Sequence, residues 1–169
     1  LRDGRRDEAI AALRAILRRS SENIDAMRLL ALALGSEPPR GDDAEALLCR
    51  VTALAPDYVA AWINLGTLYS VQGKWLKAVE SFRAATRLNP GGDAAWAGLG
   101  NALALASNPE ESSEAYGKSV ELNPHNAHAW MGYAHTLKAL GAQDRAVAAY
   151  RAAIKLRPDF GEAYWSLAN

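Results

Sequence analysis

The sequence predicts an all-α fold, an α-solenoid of antiparallel helix pairs. Two observations carry this expectation. Trp62, Leu65, Gly66 and Tyr69 stand at i, i+3, i+4 and i+7, one face of a helix, and Ala78, Phe82 and Ala85 at i, i+4 and i+7 form the apolar face of a second. Gly73 breaks the chain between them and Pro90 stops the second helix. The whole pattern then recurs every 34 residues: Trp62 becomes Trp96 and Trp130, Phe82 becomes Tyr116 and Tyr150, and Pro90 belongs to a series with Pro56, Pro124 and Pro158. Large rings alternate with small residues, so Gly66 and Ala78 let two backbones approach while Trp62 and Phe82 fill the space beside them.

Taken in order, residues 1–23 read as the second helix of a partial repeat, with Gly4 at the turn before it and Ala9, Leu13 and Ile16 on its apolar face. The chain opens in mid-repeat without an initiator Met, as a piece of a longer protein would. Residues 24–58 form a divergent repeat, with Met27, Leu30, Ala31 and Leu34 in place of the Trp-Leu-Gly-Tyr face. Pro38 and Pro39 end its first helix early and stiffen the loop. Its second helix starts near Asp42, with Ala44, Leu48 and Val51 inward. Residues 59–92 are the most regular repeat. Residues 93–126 keep Trp96, Leu99, Gly100, Tyr116 and Pro124, but Ser112, Ser119 and Gly117 enter the second helix, which makes it the softest expected segment. Residues 127–160 restore the pattern behind an Asn126 N-cap, with Tyr133 and Ala134 where Leu and Gly stood before. Residues 161–169 open a further first helix, with Tyr164, Leu167 and Ala168 in register.

A 34-residue period with W-x2-L-G-x2-Y followed by Ala, an aromatic and Pro resembles the tetratricopeptide repeat family over nearly the whole chain. The resemblance implies one array across 1–169, with the first helix of each pair lining a concave groove that holds peptides or protein partners. It also implies which residues face that groove: Arg28, Ile63, Asn64, Thr67, Ala97, Asn101, Leu105, His128, Met131, His135 and Lys138. Chaperone-binding relatives use Lys, Asn and Arg there as a carboxylate clamp, but Ala94 and Ala97 stand where basic residues would complete it. Sugar-transferring relatives use an asparagine ladder, which Asn64 begins and Gly98 and Gly132 interrupt. The stretch 128–169, especially Trp130-Met131-Gly132-Tyr133 and Phe160 to Asn169, is similar to the end of the repeat array in bacterial sulfotransferases. That likeness implies a substrate-positioning module whose catalytic domain lies outside this chain.

Composition narrows the partners. Nineteen basic and nineteen acidic residues cancel, so no net field favours nucleic acid or an anionic membrane. No run approaches the ~18 apolar residues of a membrane span. The single cysteine, Cys49, has no internal partner and suits a reducing, cytoplasmic compartment.

Chemistry finds little footing. His128 and His135 lie about 10.5 Å apart along a helix axis at 1.5 Å per residue, too far to share an ion. Cys49 lacks a base in sequence and reads as a half-buried structural residue. Glu110, Glu111 and Glu114 open a helix and complement its dipole. Gly91-Gly92 is a repeat junction, because no Lys-Ser/Thr follows it. The chain is therefore expected to be non-catalytic, without metal or cofactor, and to bind a protein or peptide. Its uncapped ends, exposing Leu13 or Tyr164, are expected to associate end to end.

Overall fold

The computed structural model describes residues 2–35 and 41–168. Every regular element among them is a helix: α1 (Arg2–Arg19), α2 (Ile24–Gly35), α3 (Gly41–Leu54), α4 (Val59–Val71), α5 (Trp75–Leu88), α6 (Asp93–Leu105), α7 (Pro109–Leu122), α8 (Ala127–Ala139), α9 (Gln143–Leu156) and α10 (Gly161–Ala168). The fold is an all-α solenoid of helix hairpins. The chain divides into two compact units, Leu1–Lys74 and Trp75–Asn169. That division falls in the turn after α4, inside the 59–92 repeat rather than at a repeat junction. The stiff loop expected around Pro38 and Pro39 lies outside the described residues.

In the first unit, Met27, Val51 and Ala61 form a core against which Leu17, Ile24, Leu47 and Tyr58 pack. Asn23 starts α2, its side-chain oxygen accepting from the Ala26 amide at 2.9 Å. Two expectations for α1 need correction. Gly4 lies within the helix and not at a turn. The inward face is Ile10, Leu13 and Leu17, while Ala9 and Ile16 are exposed. The inward stripe keeps Leu13 but takes Ile10 and Leu17 in place of Ala9 and Ile16, a rotation smaller than the roughly 100° of one full residue. Glu45 fastens α3 to the far end of α4: it accepts from the Tyr69 hydroxyl at 3.1 Å and from Lys74 Nζ at 2.6 Å. Cys49 is exposed rather than half-buried, with its sulfur 3.8 Å from the Tyr69 hydroxyl.

In the second unit the hairpins are closed by small residues. A Cβ on Gly100 would come within 2.7 Å of the Tyr116 ring, and one on Gly132 within 2.3 Å of the same ring, so Tyr116 is held between two glycines. Gly98 stands in the same relation to Phe82, at 2.4 Å. A rule follows: an aromatic on one second helix faces a small residue sixteen positions later on the next first helix. Gly98 and Gly132 interrupt the asparagine ladder because the rings of Phe82 and Tyr116 occupy that space. At the third such position, Ser166 lies beside Tyr150.

The turns between paired helices share one solution. Gly73, Ser107 and Gly141 have φ of 71°, 60° and 75°. Each places the following amide on a carbonyl five residues back: Lys74 on Tyr69, Asn108 on Leu103 and Ala142 on Leu137, all at 2.9 Å. This is the left-handed C-terminal cap. Ser107 adopts it without being glycine. The junctions between repeats share another solution. The indole N–H of Trp62, Trp96 and Trp130 donates to the carbonyl of Pro56, Pro90 and Pro124, at 2.9, 2.8 and 2.9 Å. The tryptophans are half-buried clasps more than they are core.

Ser112 and Ser119 tie α7 to its partner helix. Ser112 Oγ donates to the Gly100 carbonyl at 2.8 Å and Ser119 Oγ to the Asp93 carbonyl at 3.0 Å. Both serines are fully buried, and a buried hydroxyl is tolerated when it is bonded in this way. Asn108 caps α7, accepting from the Glu111 amide at 3.3 Å and donating to the Glu111 carboxylate at 2.8 Å, with Pro109 at the first helical position.

Candidate functional site

The residues expected to face the groove come from the first helices, and the structure treats them unequally. In the first unit, Arg28 lies over the Tyr58 ring, 5.7 Å from its centroid, with its Nε 4.0 Å from Asp25. That Nε and the side-chain nitrogen of Asn64 are buried without a hydrogen-bond partner among the described residues. Ile63 is half-buried. Thr67 is exposed, and its hydroxyl donates to the Ile63 carbonyl at 2.9 Å.

In the second unit, Ala97, Asn101, His128, Met131 and His135 border one recess of about 450 Å³, which Phe160 and Glu162 close at its α10 end. Asn101 is exposed and offers both an amide donor and an acceptor. Met131 contributes little: it is 4% exposed and belongs to the core with Tyr150, Phe160 and Ala163. Leu105 and Lys138 do not border the recess. Leu105 is exposed, and Lys138 Nζ donates to the Ser166 carbonyl at 3.3 Å.

Both histidines are engaged by residues further along the chain, His128 by the end of its own repeat and His135 by Tyr150 and α10. His128 Nε2 lies 2.9 Å from Arg157 Nη1. A guanidinium only donates, so the imidazole nitrogen accepts. The His128 ring meets Phe160 edge-on at 5.2 Å, and Arg157 covers the Phe160 ring at 4.8 Å. His135 Nε2 lies 3.2 Å from Ser166 Oγ and meets the Tyr150 ring edge-on at 5.5 Å. Burial pushes the Tyr116 hydroxyl, which borders the recess, up to about 12, and raises that of Tyr150. The recess is lined by small and apolar side chains together with the Asn101 amide, the His128 and His135 imidazoles and the Glu162 carboxylate.

Among the described residues, no group of three or more His, Cys, Asp and Glu is placed to hold a metal ion. None of the described helices is long and apolar enough to cross a membrane. Sequence reasoning missed Phe160 as a recess residue. The signal lay in the start of the next repeat, since α10 follows Phe160 directly.

Comparison with known proteins agrees with this architecture. Residues 1–34 and 63–116 match a family model described as tetratricopeptide repeat, and residues 134–169 match one described as TPR repeat. No curated protein matches. Among solved structures, the chain is similar to a crystal structure of MamA, with a TM-score of 0.84 and 21% identity over 95% of this chain and 93% of that one. A MamA from Desulfovibrio magneticus RS-1 gives 0.83 at 19% identity, covering 95% and 90%. YrrB, whose structure is described as a TPR protein with an unusual peptide-binding site, gives 0.79 at 20%, covering 92% and 80%. At these identities the likeness speaks to the fold alone. The family models match more than half of the residues, and so the chain belongs to the tetratricopeptide repeat family.

Proposed function

We propose that the chain is a non-catalytic protein-interaction scaffold that holds an extended peptide along the face built by its first helices. The recess bordered by Ala97, Asn101, His128 and His135 carries this reading. In the first unit, taken by itself, the side-chain nitrogen of Asn64 is buried without a hydrogen-bond partner among the described residues: buried donors are nearly always paired in native proteins, and a peptide carbonyl would pair it. A bound segment gains mainly by burying apolar side chains, at roughly 25 cal/mol per Å². The test is a peptide-array screen on the chain, repeated with Asn101→Ala and Ala97→Glu, both on the recess. Both variants are expected to lose the selected peptides. Retention of every peptide by both variants would move the site off the first-helix face. Met131 is unsuited to this test, because a charge there would enter the core.

A substrate-positioning role in a larger sulfotransferase-like protein would use the same face, and it rests on the sequence likeness of 128–169 alone. End-to-end association is supported by exposed apolar groups on the terminal helices: Ile16, 44% exposed, on α1, and Tyr164 and Trp165, 50% and 69% exposed, on α10. Light scattering over a concentration series checks it, and a concentration-independent monomer mass would remove it.

A further inference from the structure

A second recess lies between the second helices α5 and α7, floored by α6. Trp96, Leu99 and Leu103 form its floor, with Arg83, Arg87 and Glu111 around it. Its volume is about 260 Å³, below the roughly 300 Å³ at which pockets for whole small molecules begin. The scale is that of a single side chain.

The next repeat shows what fills such a space. Adding 34 takes Trp96 to Trp130, Leu99 to Tyr133, Arg83 to Gly117 and Glu111 to Arg145. There Tyr133 occupies the position between α7 and α9. Its ring lies against Trp130, with centroids 6.2 Å apart, and its hydroxyl accepts from Arg145 Nη2 at 2.7 Å. The glycine at 117 leaves its hydroxyl end uncrowded, since a Cβ there would be 3.8 Å from the hydroxyl oxygen. One repeat earlier the framework is the same, but Leu99 stops short of that position and leaves the side of Trp96 open to the recess.

We propose that this recess receives a tyrosine side chain of a partner protein, its ring against Trp96 and its hydroxyl against the Arg83–Glu111 pair. The hydrogen bonding is reversed relative to the next repeat. Where Tyr133 accepts from Arg145, the incoming phenol donates to Glu111 and accepts from Arg83. These two groups already form an ion pair at the mouth of the recess, one acceptor and one donor, which complements a hydroxyl and offers nothing to a leucine or phenylalanine. Glu111 is held in its acceptor form, because a hydrogen bond from Asn108 and the charge of Arg83 lower its pKa. The site lies away from the first-helix face, so it stands or falls independently of the peptide groove.

The experiment is an NMR titration that follows the indole N–H signals of Trp96 and Trp130, with N-acetyl-L-tyrosinamide, its phenylalanine counterpart and its leucine counterpart as probes. Tyrosinamide is expected to shift the Trp96 signal and leave Trp130 unmoved. The phenylalanine probe should bind about tenfold more weakly, the worth of one hydrogen bond to a charged group. Leu99→Tyr fills the recess from within and should abolish the shift. Glu111→Leu, at an exposed position, should erase the preference for tyrosine, which keeps the proposal testable should Leu99→Tyr fail to fold. An unmoved Trp96 signal at millimolar tyrosinamide, or equal shifts from all three probes, would overturn the proposal.

Discussion

The repeats 93–126 and 127–160 have the same length and the same framework, yet they close their hairpins by different means. In 127–160 the second helix presents Ala146 and Ala153, both buried, and packing alone closes the gap. In 93–126 the equivalent places hold Ser112 and Ser119, each bonded to a carbonyl of the facing helix. The turns differ in the same sense, with Gly141 in one and Ser107 in the other at nearly the same positive φ. The 93–126 repeat therefore combines more directional bonds with a more strained backbone. Composition alone would have made it the weaker hairpin, whereas its polar substitutions are compensated one by one.

The largest expected effect tests the clasp at each repeat's entry. Trp96→Ala and Trp130→Ala should each destabilise by somewhat less than the ~3–5 kcal/mol of a fully buried ring, since both are half-buried. Trp130→Ala should be the costlier, because its ring also packs against Tyr133. Urea midpoints of the two variants decide the order, and equal losses would show that Tyr133 adds nothing.

Next in size is an alkaline effect. Unfolded tyrosine ionises near pH 10, while native Tyr116 keeps its proton to about 12. The unfolded chain releases its proton first, so this stabilisation is complete below pH 10 and is lost as pH rises towards 12. The Tyr116 share of the loss should reach about 2 kcal/mol; the loss should shrink by that amount in Tyr116→Phe without vanishing, because Tyr150 is raised as well. Stability measured from pH 9 to 12 in both proteins checks it.

The smallest effects sharpen the comparison by making one repeat more like the other. Ser107→Gly relieves a left-handed backbone and should stabilise by about 1 kcal/mol. Gly117→Ala should gain a similar or smaller amount, up to about 1 kcal/mol, because the added methyl meets Tyr133 only at 3.8 Å, an ordinary contact. Thermal melts of the single and double variants should show increments that add, since the two sites share no bonded partner.

These contrasts also mark where the sequence was legible. The hairpin register was plain because tryptophan, proline and the second-helix aromatics are rare residues locked to one spacing. Ser107 was not, since a left-handed turn is announced by glycine, and serine carries no such signal. The clasps were hidden for a related reason: a tryptophan in the register of the apolar face reads as core, and only coordinates show its N–H reaching a proline carbonyl. Within the groove, Asn101 and Met131 could not be separated by position alone. Neighbouring stripes on a helix are one residue apart, and the approach of Phe160 and Ala163 decides that Met131 is covered.

The tryptophan clasp has a consequence for how such chains grow. Donor and acceptor are six residues apart in sequence, Pro56 with Trp62, Pro90 with Trp96 and Pro124 with Trp130, so the bond never depends on a distant part of the gene. A duplication of any 34-residue block copies the latch along with the block, wherever the cut falls outside those six residues. The lengthened product arrives with its new seam already fastened. Lineages can then add or lose blocks in a single genetic step, without waiting for a matching change elsewhere. At the 158–164 seam, where Tyr164 takes the place of tryptophan, the copied block would carry no such indole latch.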